Sequence, residues 1–352
     1  MPTVWIPTSQ PYAVHIGAGL LAHCGDCLAT VTTARRCVLV TDSQVAPLYA
    51  RTVQHALEIA GFTVHLYILP AGEAHKTLPG CAQLLSFFAQ NGLTRTDFAI
   101  ALGGGVVGDM TGFACAIYQR GIDFIQMPTT LLAACDASVG GKTAVDLPEG
   151  KNLAGAFHQP HLVLCDTDTF RTLPNTVFAA GMAEVIKHAL IADKDLLQTL
   201  QTADITVSIE TLVQRNVEIK ASFVCGDEHE QGQRKLLNFG HTLGHAVERC
   251  SHYTIPHGEA VAIGMALVCR AAERLRYSPT GTLDTVLSLL HRFSLPHTCP
   301  FSATELFTAA IADKKRTGNG IDIVILEKVG QAKTLRLTLE QLRHFTEIAL
   351  CK

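Results

Sequence analysis

The chain has 352 residues, more than one hydrophobic core usually supports, and this length predicts two domains. Hydrophobic residues make up 48% and charged residues 17%, and the apolar residues are dispersed among polar ones, which argues against a membrane span. A formal net charge of −3 gives no general attraction for nucleic acid, so cations that bind a small anion must be concentrated locally.

The N-terminus and the cysteines bear on the cellular compartment. Residues 1–5 lack the basic segment followed by an apolar stretch that secretion requires, so we expect a cytoplasmic protein. Twelve cysteines are scattered through apolar stretches, where a reduced thiol behaves as a small hydrophobe. Cys24 and Cys27 have the spacing of a redox pair, but no second pair or thioredoxin-like context accompanies them, so we assign them no chemistry.

The first half of the chain alternates short β-branched segments with helical ones. The predicted strands are Cys37–Thr41, Thr63–Leu69, Phe98–Leu102, Phe124–Met127 and Leu162–Cys165. The predicted helices between them are Pro47–Ala60, Leu78–Asn91 and Val106–Gln119. This alternation is typical of a mostly parallel sheet covered on both faces. The sequence therefore predicts a Rossmann-like α/β domain over residues 1–170.

From Pro174 onward, long amphipathic helices replace this alternation. The predicted helices include Val177–Ala192, Ile205–Val224, Leu236–Cys250 and Glu259–Leu275. Only Ile321–Leu326 and Lys333–Leu337 have an extended pattern in this half. We therefore expect a mainly helical, all-α C-terminal domain over residues 171–352, with a boundary near Thr167–Pro174.

A glycine-rich turn follows the predicted strand Phe98–Leu102 and opens a helix. Its sequence, Gly103-Gly104-Gly105-Val106-Val107-Gly108-Asp109, lets the backbone approach a pyrophosphate while the helix N-terminus supplies N–H donors. The alternative is a tight strand-to-helix turn without a ligand. The usual dinucleotide fingerprint follows the first strand and has an acid about 20 residues later. Here the turn follows a later strand, and the nearest candidate acid, Asp42, ends an earlier one.

The segment Pro128–Thr143 and the following Lys151 are rich in small polar groups and lysines, which predicts either an anion site or an ordinary polar loop. Gly140-Gly141-Lys142-Thr143 is similar to the end of a P-loop. However, Asp136 occupies the position where that motif needs its first glycine, so the sequence excludes nucleotide triphosphatase activity.

Three residues have the character of metal ligands: Glu184 within a predicted helix, and His241 and His257 on either side of the helix that contains His245. A single buried histidine is more often a core or capping residue, so it is their joint presence that favours a site. One carboxylate and two imidazoles leave positions open on zinc, as a catalytic site needs. Spacing leaves open whether His245 also ligates.

Several cations and amides lie near these candidate ligands in sequence. Lys187 is one turn from Glu184, and Arg234 and Asn238 lead directly into the His241 motif. A guanidinium with an amide suits recognition of carboxylates and hydroxyls. The alternative, which applies to Lys220 as well, is a set of solvated helix faces.

As a set, these motifs resemble the 3-dehydroquinate synthase family of the sugar phosphate cyclases, from Asp42 to Asp313-Lys314-Lys315. The matching motifs are Pro70–Lys76, Gly103–Asp109, Tyr118–Gly121, Ser138–Thr143, Gly150–Asn152, Glu184–His188, Gly240–His245 and His257–Glu259. Departures are confined to flanking positions such as Ala144 and Asp146, where the family more often has Gly and Asn.

The resemblance implies NAD and a divalent metal as cofactors, zinc first and cobalt second. The implied NAD-binding residues are Asp42, Gly72, Glu73, Lys76, Gly104, Gly105, Val106, Asp109, Thr129, Thr130, Lys151, Thr169 and Thr172. The implied metal ligands are Glu184, His241 and His257. The implied substrate-site residues are Arg120, Asp136, Lys142, Asn152, Lys187, Lys220, Arg234, Asn238, His245 and Lys315. The implied catalytic residues are Lys142, Lys187, Glu230 and His245, with Glu230 and His245 as acid/base groups.

The family's activity would convert 3-deoxy-D-arabino-heptulosonate 7-phosphate into 3-dehydroquinate and phosphate, in the shikimate pathway to aromatic amino acids. Transient oxidation, phosphate elimination, re-reduction and aldol closure would leave NAD without net change. The resemblance also implies a homodimer in which Arg120 reaches the other subunit's phosphate, and no nucleic-acid or membrane partner. Three alternatives remain: a glycerol-type metal dehydrogenase, a sister cyclase acting on sedoheptulose 7-phosphate or glucose 6-phosphate, and a non-catalytic protein that binds NAD and zinc.

Overall fold

The computed structural model describes residues 1–202, 209–313 and 320–351. The chain forms two compact units, Met1–Leu173 with Ile209–His229, and Pro174–Ser208 with Glu230–Lys352. The chain first passes from the first unit to the second after Leu173, three residues beyond the predicted end of the α/β domain at residue 170. The return of Ile209–His229 to the first unit was not foreseen, because a single boundary assigns every later residue to the second domain.

The strands are β1 (Thr3–Ile6), β2 (Tyr12–Gly17), β3 (Arg36–Asp42), β4 (Thr63–Leu69), β5 (Phe98–Gly103), β6 (Asp123–Pro128), β7 (Lys142–Leu147), β8 (Gly150–Phe157), β9 (Leu162–Asp166), β10 (Gly320–Lys328) and β11 (Gln331–Thr338). The helices are α1 (Cys24–Val31), α2 (Arg51–Ile59), α3 (Leu78–Gln90), α4 (Gly105–Ile117), α5 (Asn175–Ala192), α6 (Lys194–Thr202), α7 (Ile209–Val224), α8 (His241–Cys250), α9 (His257–Arg274), α10 (Thr282–Arg292), α11 (Ala303–Asp313) and α12 (Leu339–Leu350).

The first unit is built on a seven-stranded sheet with the order β1-β2-β9-β6-β5-β3-β4. Only β1 and β2 pair antiparallel in this sheet, and every other pairing is parallel. The mostly parallel α/β sheet predicted from the sequence is therefore confirmed. The sequence analysis did not include β1 and β2, which precede the first predicted strand.

Alternation along the strands explains why helices cover both faces of this sheet. Val38 and Val40 of β3 point into a core shared with α3 and α4. Their neighbours Cys37 and Leu39 point into the opposite core, shared with α1 and α2. Successive side chains of a strand alternate between faces, so a fully apolar strand must be covered on both sides.

A two-stranded hairpin, β7 with β8, lies against α4. A side chain on Gly112 of α4 would place its Cβ 2.4 Å from Thr143 Cγ2, so the close approach of hairpin and helix requires glycine there. This hairpin occupies part of the segment that the sequence predicted only as an anion site or a polar loop. Helix α7 packs against β1, β2 and the turn Ala133–Ala137, which explains its place in the first unit.

Over its described residues, the second unit contains helices and one β-hairpin. Helix α9 is buried along almost its whole length and packs against α5, α8, α10 and α12. An α-helix that is apolar on all sides is typical of a buried core element. The two extended segments expected in this half pair antiparallel as β10 and β11, so that prediction is confirmed.

The predicted helix Leu236–Cys250 is interrupted in the structure. Residues Gln233–Asn238 form a short 3₁₀ helix, and α8 begins only at His241. Gly240 has a φ of 79°, a left-handed conformation that glycine adopts without strain. Its backbone also approaches α9 so closely that a Cβ would lie 2.6 Å from Met265 Cγ. The break places His241 in the first turn of a helix rather than within one.

Two further properties follow from the fold. The cysteines are free thiols, and burial raises the pKa of Cys24 to about 12, as expected for an unreactive core residue. Within the described residues, no helix combines the length and the apolar character needed to cross a membrane.

Candidate active site

The glycine-rich turn lies at the point where the strand order of the first unit reverses. The chain passes from β3 outward to β4 and then returns to β5 on the other side of β3. In open α/β sheets, ligands bind outside the carboxyl ends of the strands at such a switch point. Asp42 ends β3 and Gly103 ends β5, so the unusual position of the turn still places it beside the predicted acid.

The geometry of the turn suits a phosphate. Gly104 is the N-cap of α4, and among the described residues no side chain caps this helix. A Cβ on Gly104 would lie 3.2 Å from Thr130 Cγ2, a close contact that glycine avoids. The N–H of Thr129 donates to the carbonyl oxygen of Gly103 at 3.0 Å, which fixes the two strand ends together. Val106 follows in the first turn of α4. Unpaired N–H groups with the helix dipole form an anion site.

A buried lysine organises the charges beside the turn. Lys76 Nζ lies 2.6 Å from Asp109 Oδ2, 2.5 Å from Asn152 Oδ1 and 3.9 Å from Glu73 Oε1. Burial opposes the charge on Lys76, but Asp109 and Glu73 outweigh it and raise the pKa of the ammonium. Lys151 Nζ is 3.6 Å from Glu73 Oε1. Four of the predicted cofactor residues and one predicted substrate residue therefore form one network.

Asp146 supports this network, although the sequence analysis gave it no role. Its carboxylate accepts a hydrogen bond from the N–H of Asn152 at 2.8 Å, and its own N–H donates to the carbonyl oxygen of Lys76 at 2.8 Å. Asn152 has a φ of 55°, an uncommon left-handed conformation for a residue with a side chain. The hydrogen bond from the Asn152 N–H to Asp146 thus helps to hold the backbone on which Lys151 and Asn152 lie.

Other predicted cofactor residues also follow the carboxyl ends of parallel strands. Asp42 Oδ1 accepts hydrogen bonds from the N–H groups of Gln44 and Val45 at 2.8 and 2.9 Å, so it already has a local structural role. Gly72 follows β4 with a φ of 108°. Thr169 and Thr172 follow β9, where the Thr172 hydroxyl donates to the carbonyl oxygen of Thr169 at 2.9 Å. These residues share one edge of the sheet.

The predicted substrate residues of the first unit lie at different distances from the turn along the chain. Lys220 of α7 is buried, with its Nζ 2.6 Å from Asp136 Oδ1. Lys142 begins β7 and is exposed. Arg120 is exposed beyond the far end of α4, after the 13 residues of that helix. That length corresponds to about 20 Å, so α4 separates Arg120 from the glycine turn.

The second unit brings the three candidate metal ligands together. Glu184 lies in α5, while His241 and His257 begin α8 and α9. One ligand atom from each lies within 4.8 Å of the others. The Nε2 atoms of His241 and His257 are each 3.5 Å from Glu184 Oε1. His245 belongs instead to a second group with Glu248 and His257, and it is not a member of the Glu184 group.

The outer nitrogens of both imidazoles are already engaged. His241 Nδ1 lies 3.1 Å from the carbonyl oxygen of Phe239, and His257 Nδ1 lies 3.2 Å from Glu248 Oε2. A histidine that donates through Nδ1 turns its Nε2 lone pair toward a metal. This donor set therefore fits zinc or cobalt, with coordination positions left open. Glu248 was missed in the sequence, although its position seven residues after His241 places it on the same face of α8.

The environment of the two imidazoles differs. Burial lowers the pKa of His241 to about 3, so this ring is neutral, as a ligand must be. Burial also opposes the charge on His257, but hydrogen bonds with Glu184 and Glu248 outweigh it and raise the pKa to about 10. A metal bound by His257 would displace the proton from Nε2.

The remaining predicted residues of the second unit lie at several places. Lys187 is buried and pairs with Glu184 one turn away in α5. Arg234 is buried in the 3₁₀ turn, and the Asn238 amide donates to the carboxylate of Glu230. His245 lies on α8, with its ring centroid 5.4 Å from that of His241. Lys315 lies outside the described residues.

Structural comparison gives the class of protein. The fold is that of the sugar phosphate cyclases. A 2-deoxy-scyllo-inosose synthase, solved with carbaglucose-6-phosphate, NAD⁺ and Co²⁺, has a TM-score of 0.89 and 26% identity, covering 98% of this chain and 99% of its own. A 2-epi-5-epi-valiolone synthase from Streptomyces hygroscopicus subsp. jinggangensis, solved with NAD⁺ and Zn²⁺, has a TM-score of 0.87 and 27% identity, covering 96% of each chain.

Sequence comparison narrows the class to one family. Residues 66–180 match the family described as "3-dehydroquinate synthase N-terminal", and residues 181–316 match "3-dehydroquinate synthase C-terminal". A 3-dehydroquinate synthase from Streptococcus suis is 41% identical, covering 98% of this chain and 99% of the relative. The chain belongs to the 3-dehydroquinate synthase family.

Proposed function

We propose that this chain is a 3-dehydroquinate synthase that uses NAD and a divalent metal. It acts on 3-deoxy-D-arabino-heptulosonate 7-phosphate and releases phosphate and 3-dehydroquinate. The observation that carries the proposal is the 41% identity over nearly the full length of a 3-dehydroquinate synthase. Two sister cyclases of known structure are 26% and 27% identical, which favours the carboxylated substrate over theirs.

The proposed cofactors match the donor sets of the two units. The N-terminus of α4 would hold the pyrophosphate of NAD, and Glu184, His241 and His257 would hold the metal. When bound, NAD supplies reversible hydride chemistry and the metal supplies a Lewis acid, so the reaction proceeds without net redox change. The other steps fall to side chains of this chain.

We assign the binding of substrate anions and hydroxyls to the cations and amides. Lys142 is exposed at the start of β7 and is suited to the phosphate. Buried Arg234 offers a planar set of donors suited to a carboxylate, and Asn238 would contact hydroxyls. Lys187 and Lys220 are each held by a carboxylate, which fixes their ammonium groups before substrate arrives. Asp136 and Asn152, the partners of Lys220 and Lys76, complete the proposed set.

We assign proton transfer to His245 and Glu230. His245 lies next to the proposed ligands in α8 but outside the Glu184 group, which favours proton transfer over metal ligation as its role. Glu230 accepts a hydrogen bond from the Asn238 amide, which orients its carboxylate beside a proposed substrate contact.

The test uses purified protein with the heptulosonate phosphate, zinc and a catalytic trace of NAD. We expect stoichiometric phosphate release without accumulation of NADH, and a deuterium at carbon five retained in the carbocycle. Accumulating NADH would indicate a dehydrogenase, and washout of the label would contradict a closed hydride cycle. Faster turnover of sedoheptulose 7-phosphate or glucose 6-phosphate than of the heptulosonate phosphate would identify a sister cyclase. Binding of NAD and zinc without turnover of any substrate would indicate a non-catalytic protein.

We also propose a homodimer in which Arg120 contacts the phosphate bound by the other subunit. The support is its exposed position, separated from the glycine turn by the length of α4, and the left-handed conformations of Gln119 and Arg120, with φ of 52° and 69°. Such conformations are costly for non-glycine residues and often mark functional sites. The alternative is a favourable charge at a helix C-terminus, worth about 0.3–1 kcal/mol.

Hybrid dimers test the sharing of Arg120. Arg120→Ala should impair turnover far more than thermal stability, whereas Arg51→Ala, an exposed change on α2, should affect neither. Mixing Arg120→Ala with His245→Ala creates hybrids in which one site has both intact residues. Recovered activity would support sharing between subunits. Confirmed hybrids without activity would place Arg120 in its own subunit's site or outside catalysis.

A further inference from the structure

Glu248 occupies an unusual position for a carboxylate. It lies in the last turns of α8, and its side chain is only 1% exposed to solvent. A buried carboxylate is unfavourable unless it is paired or hydrogen-bonded. Its Oε2 lies 3.2 Å from Nδ1 of His257, which begins the neighbouring helix α9. The contact joins the two helices that carry the proposed histidine ligands.

The His257 ring lies between two carboxylates that face its two nitrogens. Nε2 is 3.5 Å from Glu184 Oε1, and Nδ1 is 3.2 Å from Glu248 Oε2. Glu248 accepts a hydrogen bond from the Nδ1–H group, so it favours the tautomer whose Nε2 lone pair points toward Glu184. A ring in the other tautomer would carry a hydrogen at Nε2 and would be unable to bind a metal there.

His241 provides an internal comparison. Its Nδ1 lies 3.1 Å from a neutral acceptor, the carbonyl oxygen of Phe239. A carboxylate is a stronger hydrogen-bond acceptor than a carbonyl group, and it makes the opposite nitrogen of the imidazole a better electron donor. The two proposed histidine ligands therefore have different hydrogen-bond acceptors at Nδ1, a neutral carbonyl group for His241 and a carboxylate for His257.

We infer that Glu248 is a positioning residue that fixes the orientation and tautomer of His257 and thereby sets the affinity of the second unit for its metal. The inference rests on the proposed metal site but goes beyond it, because Glu248 is not one of the proposed ligands. It acts on the metal through the imidazole. Removal of its charge should weaken metal binding while the three ligands remain in place.

The decisive variant is Glu248→Gln, which keeps the shape of the side chain and removes the charge. The amide either accepts weakly from Nδ1 or donates to it and stabilises the wrong tautomer. We expect Co²⁺ and Zn²⁺ affinities, measured by titrating metal-free protein against a chelator, to fall about 10–100-fold. The visible absorption spectrum of the Co²⁺ protein should also change. Glu340→Gln, an exposed charge removal on α12, is the matched control and should leave both unchanged.

Glu248→Asp provides a second variant, which keeps the charge but withdraws the carboxylate by one methylene. It should lose affinity less than Glu248→Gln, and it serves alone if the amide variant does not fold. Metal affinities within twofold of the unchanged protein in the folded variants would overturn the inference. The titration does not depend on turnover. Inactive protein that binds metal normally would contradict the proposed function and leave this test valid.

Discussion

The glycine-rich turn of the first unit and the metal group of the second differ in which part of the chain would bind the proposed ligand. At the turn, backbone N–H groups at the start of α4 are the proposed donors, and small residues line the approach. In the metal group, side chains from three helices converge, and the buried carboxylate of Glu184 is already paired with Lys187. A backbone site is encoded in neighbouring residues, whereas a side-chain site depends on helix packing.

The largest effect is expected from loss of a ligand in the second unit. His257→Ala should weaken metal binding by more than about 100-fold, because even loss of an outer partner costs about 10–100-fold. Turnover should disappear with the metal. Chelation should also abolish turnover while circular dichroism shows an intact fold, and zinc should restore activity. Global unfolding on chelation would contradict a purely catalytic site.

His245→Ala is the control for that experiment, since His245 lies outside the Glu184 group. It should retain metal but lower turnover by about 10²–10⁴-fold, the usual loss for a general acid or base. Metal analysis together with the turnover rate checks both statements. If His245→Ala also loses the metal, the assignment of ligands is wrong.

An intermediate effect is expected at the charges beside the glycine turn. Lys76→Met leaves Asp109 without its 2.6 Å partner and should lower the free energy of unfolding by about 2–4 kcal/mol. This loss is smaller than that for a fully buried pair, because Asp109 is partly exposed. Lys151→Met is the matched control. That lysine is more exposed and lies 3.6 Å from Glu73, so its loss should cost about 1 kcal/mol or less. Equal losses in urea denaturation would contradict the central role of Lys76.

The smallest effect is expected at Asp146. Asp146→Ala removes the acceptor for the N–H of Asn152 and should cost about 1 kcal/mol, with weaker NAD binding. Asp146→Asn keeps an oxygen in the same place and should cost less than about 0.5 kcal/mol. Thermal denaturation and NAD titration measure both. If the two variants lose equally, the charge rather than the hydrogen bond supports Asn152.

Local signals predicted much of the fold and of the candidate site. Apolar runs and helical periodicity located the strands at the centre of the sheet and the long helices α5 and α9, because these patterns reflect burial on specific faces. The sequence also predicted the glycine turn correctly as the start of a helix. The assigned roles of the site residues remain predictions, which the experiments above address.

Local signals failed where a distant contact decides the conformation. The break at Gly240 depends on the approach of Met265 in another helix, and the position of β7 depends on the absence of a side chain at Gly112 of α4. Helix α7 returns to the first unit because it packs on β1 and β2, which lie far earlier in the chain. None of these contacts leaves a periodic pattern in the neighbouring sequence.

The sequence by itself determined which chemical groups this protein has and how they are grouped along the chain: a glycine turn that opens a helix, a carboxylate and two imidazoles. The tertiary structure decided which groups meet. It placed Glu248 on His257, Asp146 on Asn152, and Lys76 between Asp109 and Asn152. The physical reason is that a hydrogen bond or ion pair depends on distances of about 3 Å between atoms, which only the packing of helices and strands can set.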